Sequence, residues 1–306
     1  MDYFKGLIVV TGPTASGKSE LALNLAKEFN GELICSDSMQ VYRKLNIGTS
    51  KPSKKEQELV PHHQIDLIEP NEFYSAGSYA KDTSQIIKKI HKRGNLPILV
   101  GGSGLYFKAL MYGISQIPKI PKIIKEQVKN LQIENGTNYC WEKLKILDPQ
   151  IAKVIHPNDT YRILRSLEVH IATGSSILDF QKEQPFSEAR YPFLAIAAKW
   201  ERSILYERIN QRTHKMLESG WIEEVVNLLK NFPKNSKSFQ SIGYREIIQY
   251  LTGELKFKQM VALIQQRTRR YAKRQMTWFR KESSIEWIEP KDFSLVKSKT
   301  KVFLEK

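Results

Sequence analysis

The run Gly12-Pro13-Thr14-Ala15-Ser16-Gly17-Lys18-Ser19, set directly after the apolar stretch Leu7–Val10, restricts this chain more than any other feature. Each part has a physical task. Gly12 and Gly17 let the backbone wrap around phosphate oxygens with its N–H groups pointing inward, Lys18 adds a mobile positive charge, and the Ser19 hydroxyl is placed to ligate Mg²⁺. The flanks agree with this: a strand before, and after it an amphipathic helix with Leu21, Ala22, Leu25, Ala26 and Phe29 on one face. The pattern predicts a strand–loop–helix unit in which residues Gly12, Pro13, Thr14, Ala15, Ser16, Gly17, Lys18 and Ser19 cradle an anion.

The remaining apolar runs extend that unit. Glu32–Ser36 reads as a second buried strand ending at Asp37-Ser38-Met39-Gln40, and Leu96–Val100 as a third ending at Gly101-Gly102-Ser103-Gly104. Between them a helix from about Tyr79 to Arg93, with Ile86, Ile87 and Ile90 at helical spacing, stops at Gly94. Strand–helix alternation of this kind predicts an α/β fold, a P-loop NTPase-like parallel sheet flanked by helices. Ligands of such sheets gather at the carboxyl ends of the strands, so Asp37, Ser103 and the phosphate loop are expected close together.

The pattern then changes. From Pro118 and Pro121, with Lys119, Lys122 and Lys125 three apart, to about Gln184, only helices and loops are legible. A strand returns at Tyr191–Ala197, followed by helices at Arg202–Ser219, Ile222–Lys230, Tyr244–Leu251 and Lys258–Arg280. The expected organisation is a core at 1–115, a helical insertion at 116–185, and a return to the core with a basic, mainly helical tail at 186–306. Residues 297–306 read as a frayed end or a small strand.

Charge is the second constraint. The 306 residues carry 48 Lys+Arg against 32 Asp+Glu, a net +16, the balance of a nucleic-acid partner or of a generally lysine-rich surface. Distribution favours the partner: Arg267, Arg269, Arg270, Lys273, Arg274, Arg280 and Lys281 lie within one acid-free stretch interleaved with Tyr271, Trp278 and Phe279. No apolar run approaches the ~18–20 residues of a membrane helix, and the N-terminus lacks a secretory pattern. Two cysteines, Cys35 and Cys140, are too few for a disulfide framework. These features favour a cytoplasmic protein with no membrane partner, and a monomer is the default.

The chemistry is narrowed by an absence and a presence. The Leu96–Val100 strand ends without the carboxylate that an ATP-hydrolysing protein uses to organise Mg²⁺ and water. Asp37 stands at a strand end instead, and three roles remain open for it: metal-organising group, base, or helix N-cap. Arg208 and Arg212, four apart, share a helix face and read as anion ligands or as a solvated basic face. His62-His63 lacks partners at zinc spacing. Trp141, Trp200 and Trp221 read as packing residues.

The blocks GPTASGKS (12–19), DSMQVY (37–42), IGTSKP (47–52), PHHQID (61–66), YSAGSYAKD (74–82), LVGGSGLYFKAL (99–110), HPNDTYRILRSLE (156–168), RINQRTHKMLESG (208–220), SIGYRE (241–246) and RQMTWFRK (274–281) run in order along the chain. In them the sequence resembles the bacterial tRNA dimethylallyltransferases, the IPP transferase family. The resemblance implies transfer of a dimethylallyl group from dimethylallyl diphosphate to N6 of the adenine immediately 3′ of the anticodon, in tRNAs reading codons that begin with U. It implies Asp37 as the base and Ser103, Lys18 and Arg208 as further catalytic groups. The loop, Arg208 and Arg212 would hold diphosphate, and Mg²⁺ would sit on Ser19. The implied tRNA contacts are Asp37, Ser38, Met39, Gln40, Ser103, Lys125, Tyr161, Arg162, Arg165, Gln240, Ser241, Ile242, Gly243, Tyr244, Arg245, Lys273, Arg274, Gln275, Trp278 and Arg280. Many relatives have Thr where this chain has Ser103, a change that keeps the hydroxyl. An adenylate prenyltransferase would leave the insertion and the basic tail without a purpose, a kinase or NTPase lacks its strand-end acid, and a pure RNA-binding module leaves Lys18, Ser19 and Asp37 unexplained.

Overall fold

The computed structural model describes residues 6–115, 117–182, 188–289 and 292–305. The boundaries expected at 115/116 and 185/186 fall partly outside these residues, as does Lys306. By contacts the chain divides into two units, Tyr112–Glu188 and the remainder.

In chain order the larger unit begins with β1 (Leu7–Thr11), α1 (Lys18–Glu28), β2 (Gly31–Cys35), α2 (Lys54–Leu59), β3 (His62–His63), α3 (Ala76–Lys92), β4 (Leu96–Val100) and α4 (Gly104–Met111). The insertion contributes α5 (Lys122–Leu147), α6 (Pro149–Ala152), α7 (Thr160–Thr173) and α8 (Ile177–Lys182). The larger unit resumes with β5 (Phe193–Ala198), α9 (Arg202–Glu218), α10 (Trp221–Leu229), α11 (Tyr244–Leu251), α12 (Phe257–Phe279), β6 (Ile285–Ile288) and α13 (Phe293–Leu304).

Six parallel strands form one sheet in the order β3-β2-β4-β1-β5-β6. This is the α/β fold expected. The inner strands are buried on both faces, which is why LIVVT and LPILV read as continuous apolar runs without alternation. Ile8, Val10, Leu25, Ile98 and Ile196 meet in the core between the sheet and its helices. The central β1 lies between β4 and β5, so its loop opens where the ends of β2 and β4 also emerge. Local signals set the helix ends. Ser53 and Glu56 form a capping box on α2, Ser75 caps α3, and Gly94 (φ 73°) follows its last turn.

Three elements differ from the sequence reading. β3 and β6 are short outer strands, two and four residues long, too brief to show a period. Residues 293–304 form a helix rather than a frayed end or strand. Phe293, Val296, Phe303 and Leu304 pack on the core, while the interspersed Lys297, Lys299 and Lys301 mask that stripe in the sequence; Lys297 pairs with Glu28 and Lys299 with Glu286.

The insertion has a core of its own, in which Val128, Cys140 and Leu144 of α5 meet Ile151, Ile163 and Leu167. Gly136 (φ 81°, ψ 172°) breaks α5 into two helical arms.

Candidate active site

The phosphate loop follows β1 with Gly12 at φ 127° and Gly17 at φ 87°, backbone conformations that an L side chain would strain. Its outside is fastened by side chains from distant helices. Gln275 of α12 accepts from the Thr14 N–H (2.9 Å) and donates to the Gly102 carbonyl (2.8 Å), tying the loop to the end of β4. Arg208 of α9 donates from Nε to the Ala15 carbonyl (2.8 Å) and stacks 4.4 Å from the Trp200 ring centroid. Trp200 donates from Nε1 to the Ser16 carbonyl (2.8 Å). The packing role expected for Trp200 is therefore incomplete: its indole holds both the loop and the arginine. Nothing in the sequence around it distinguished this indole from the other tryptophans.

Positive charge converges inside the loop. Lys18 donates to the Pro13 carbonyl (3.2 Å). Arg212 donates to Thr14 Oγ1 (2.9 Å) and to Ser50 Oγ (2.7 Å). Burial, and then the neighbouring Arg212 guanidinium, lower the Lys18 ammonium to about 8, while Asp37 opposes the shift. Burial also lowers Arg212, again opposed by Asp37. The two cations thus sit together with Asp37 as their nearby carboxylate.

Asp37 follows β2 and accepts the Met39 N–H on Oδ1 (2.8 Å), so its capping bond closes a turn rather than starting a helix. Ser103 follows β4 and accepts the Ser38 N–H (3.1 Å). The strand-end groups come together as the parallel sheet required. A cavity of about 350 Å³ joins Asp37, Ser38 and Met39 to Thr14, Ala15 and Arg212, and is walled further out by Met216, Trp221, Ile264 and Tyr271. Burial, and then the nearby Asp37 carboxylate, push the Tyr271 phenol up.

Gln240, Ser241, Ile242 and Tyr244 also reach this cavity, whereas neighbouring groups are engaged internally. Glu246 is fully buried, accepts the Gly243 N–H (2.5 Å) and pairs with Arg245 and Arg267. Gln40 donates to the Thr49 and Ser50 carbonyls (3.0 and 3.3 Å), holding the segment that meets Arg212. Gln275 is likewise buried between the loop and Gly102. For Gln40 and Gln275 the geometry shows a bracing role that the sequence did not reveal, because their partners are fixed only in the fold. Glu224, also missed, accepts the N–H groups of Asn46, Ile47 and Gly48 and the Tyr244 hydroxyl.

The basic stretch of α12 divides by face. Arg267 turns to Glu246 and Arg269 to Asn210 (2.7 Å). Arg270, Lys273, Arg274, Trp278 and Lys281 line an open groove of about 480 Å³, and Arg280 lines a separate hollow with Pro13 and Trp200. Within the insertion, Lys125 is exposed and Tyr161 is 76% exposed at the start of α7, where Arg162 pairs with Asp159 and Arg165 with Glu168. His62 and His63 bond to the Val60 carbonyl (2.7 Å) and to Glu32 (2.6 Å).

The family model described as IPP transferase matches residues 40–282. A tRNA dimethylallyltransferase of Caldanaerobacter subterraneus subsp. tengcongensis is 45% identical over 292 residues, covering 94% of this chain and 92% of the relative. The crystal structure of a full-length tRNA isopentenylpyrophosphate transferase from Bacillus halodurans superposes with a TM-score of 0.74 at 35% identity, over 98% of this chain and 97% of that one. A eukaryotic dimethylallyltransferase, captured acting on tRNA, gives a TM-score of 0.79 at 30% identity, over 94% and 74% of the two chains. With the strand-end site, the loop and this similarity along nearly its whole length, the chain belongs to the IPP transferase family.

Proposed function

We propose that this chain transfers a dimethylallyl group from dimethylallyl diphosphate to N6 of an adenine in tRNA, the one immediately 3′ of the anticodon, in tRNAs reading codons that begin with U. The observation that carries the reading is the charge imbalance at the loop. Lys18 and Arg212 lie together against one carboxylate, Asp37, and a diphosphate would relieve both cations while leaving Asp37 free for a proton. The end of β4 carries Gly101-Gly102-Ser103 and no acid, an arrangement suited to holding a leaving group rather than to hydrolysing a phosphoanhydride.

The exocyclic amine of adenine is a poor nucleophile because its lone pair is delocalised into the ring. As the bond from N6 to the allylic carbon forms, the bond from that carbon to the diphosphate oxygen breaks, and its electron pair leaves with the diphosphate. The N6 proton passes to Asp37, assistance typically worth about 10²–10⁴-fold. Loop amides, Lys18, Arg212 and Arg208, whose terminal nitrogen lies beside Gly17, meet the charge growing on the leaving group. Ser103 accepts the Ser38 N–H and so braces the turn that carries Asp37.

Among the described residues no cluster of three or more His, Cys, Asp or Glu could hold a metal ion. By the loop motif, Mg²⁺ would take Ser19 and the diphosphate oxygens as ligands, and would neutralise charge on the leaving group. Ser16 Oγ, buried without a hydrogen-bond partner, is a further polar atom that a bound polyanion would satisfy.

The adenine must leave the anticodon-loop stack to enter the cavity, and the groove on α12 offers phosphate and stacking contacts to the surrounding loop. One chain carries every group the reaction uses, so a monomer working on cytoplasmic tRNA suffices. The deciding experiment offers Mg²⁺, labelled dimethylallyl diphosphate and either unmodified tRNA or AMP. Label should appear in tRNA; label on AMP alone would sink the proposal.

A further inference from the structure

Helices α9 and α12 are both anchored at the phosphate loop, through Arg208 and Gln275, and the cavity extends away from it between them. At about 1.5 Å per residue, Met216 lies about 12 Å from Arg208 along α9, and Ile264 about 16 Å from Gln275 along α12. The lining changes over that distance. Arg212, Arg274 and Asp37 stand near the loop, Thr213 and Thr268 come next along the helices, and the apolar Met216, Ile264 and Trp221 lie beyond them at the far end.

Trp221 lines that end and is packed tightly in place. Trp221 is 2% exposed. A methyl at Gly243 would overlap its Cη2 and Cζ2 atoms, and a methyl at Gly48 would overlap its Nε1, so both glycine backbones lie directly against the ring. Tyr244 meets it edge-on, 5.8 Å between centroids at 78°. Glu224 fixes the surround by accepting the Asn46, Ile47 and Gly48 amides and the Tyr244 hydroxyl. Close-packed walls of this kind do not yield to an added chain without strain.

We propose that Trp221, with Met216 of the same cavity wall, is a length stop that admits a five-carbon allyl group and excludes a ten-carbon one. This rests on the allyl-transfer reading above. The cavity of about 350 Å³ is near the lower limit of ligand pockets, about 300–1,000 Å³, and it must also admit a purine. A second isoprene unit would run past Met216 and Ile264 into the indole.

The test measures kcat/KM for dimethylallyl and geranyl diphosphate with unmodified tRNA, in the native chain and in the Trp221→Leu and Met216→Ala variants. The native chain should prefer the shorter donor by roughly 100-fold. Trp221→Leu should raise the geranyl-to-dimethylallyl ratio roughly tenfold and Met216→Ala roughly threefold, both donors being compared on the same tRNA so that any change in tRNA affinity cancels from the ratio. Met216 is only half-buried, so its variant decides the matter if Trp221→Leu does not fold. A native chain that uses both donors equally overturns the stop, as does a native ratio retained by Met216→Ala or by folded Trp221→Leu. A native chain that labels tRNA with neither donor refutes the allyl-transfer reading itself, a result distinct from unaltered selectivity.

Discussion

At the scale of single residues the site is defined by Asp37, which the fold holds by a hydrogen bond, and by Lys18, whose charge the fold alters. Asp37 is held in a turn by the Met39 amide and faces the cavity. Asp37→Ala should lower kcat about 10²–10⁴-fold while a filter-binding assay still shows tRNA bound; unchanged turnover would remove Asp37 as the base. Lys18 gives a pH signature. Because burial and Arg212 lower its ammonium to about 8, it is charged below that pH and must be reprotonated above it to bind an anion. Calorimetric affinity for sulfate, an anion whose own charge is constant over this range, should therefore fall as pH rises from about 7 to about 9.5, approaching about tenfold per unit at the upper end. Lys18→Met should bind more weakly throughout and lose most of that slope.

At the scale of elements, the sheet is fastened at both ends of its strands, and the two fastenings have different consequences. At the carboxyl ends, Gln275 joins α12 to the loop and to the β4 turn, so the helix that presents Arg274 and Trp278 also braces the diphosphate cradle. At the other end, Glu32 of β2 is buried and accepts from Arg93, His63 and Asn95. Burial by itself would raise this carboxyl, but the hydrogen bonds from Arg93, His63 and Asn95 outweigh it and hold it down to about 2. A depressed carboxyl stabilises the fold above its unfolded value near 4.5, and that contribution is lost as pH falls toward 2. Glu32→Gln should cost about 1–3 kcal/mol at neutral pH in urea unfolding, and should flatten the loss of stability between pH 4.5 and 2. An unchanged acid profile would show that this cluster does not anchor the outer strand.

At the scale of the whole molecule, the net charge of +16 is only partly available to RNA. Arg267 and Arg269 are turned inward, and it is Arg270, Lys273, Arg274 and Lys281 that line the groove beside Trp278. Changing Arg270, Lys273 and Arg274 together to Ala should weaken tRNA binding. It should also reduce the slope of log affinity against log salt by about 2, at about 0.7 for each single-strand phosphate no longer neutralised. Changing Arg267 instead should lower thermal stability, because it leaves the fully buried Glu246 with Arg245 as its remaining ion-pair partner. If the triple variant binds with the native salt slope, the groove is a solvated surface only.

Much of this was legible from the chain because the relevant forces are local. The strand LIVVT, the glycines at 12 and 17 and the helix stripe behind them depend on neighbours within a few residues, and the parallel topology then fixes where Asp37 and Ser103 must emerge. The braces were not legible. Trp200 on Ser16, Gln275 on Thr14, Glu224 on residues 46–48 and the glycines facing Trp221 act across long stretches of chain, and a polar side chain carries no mark of which distant amide it will meet. The same limit hid α13, whose apolar stripe shows only once the sheet supplies a surface to receive it. The sequence by itself determined that this protein has a phosphate loop on a parallel sheet with a carboxylate and a hydroxyl at neighbouring strand ends. Only the tertiary structure decided which arginines face solvent, which glutamines hold the loop, and how far the cavity runs before it meets an indole, because those outcomes depend on packing between elements remote in sequence.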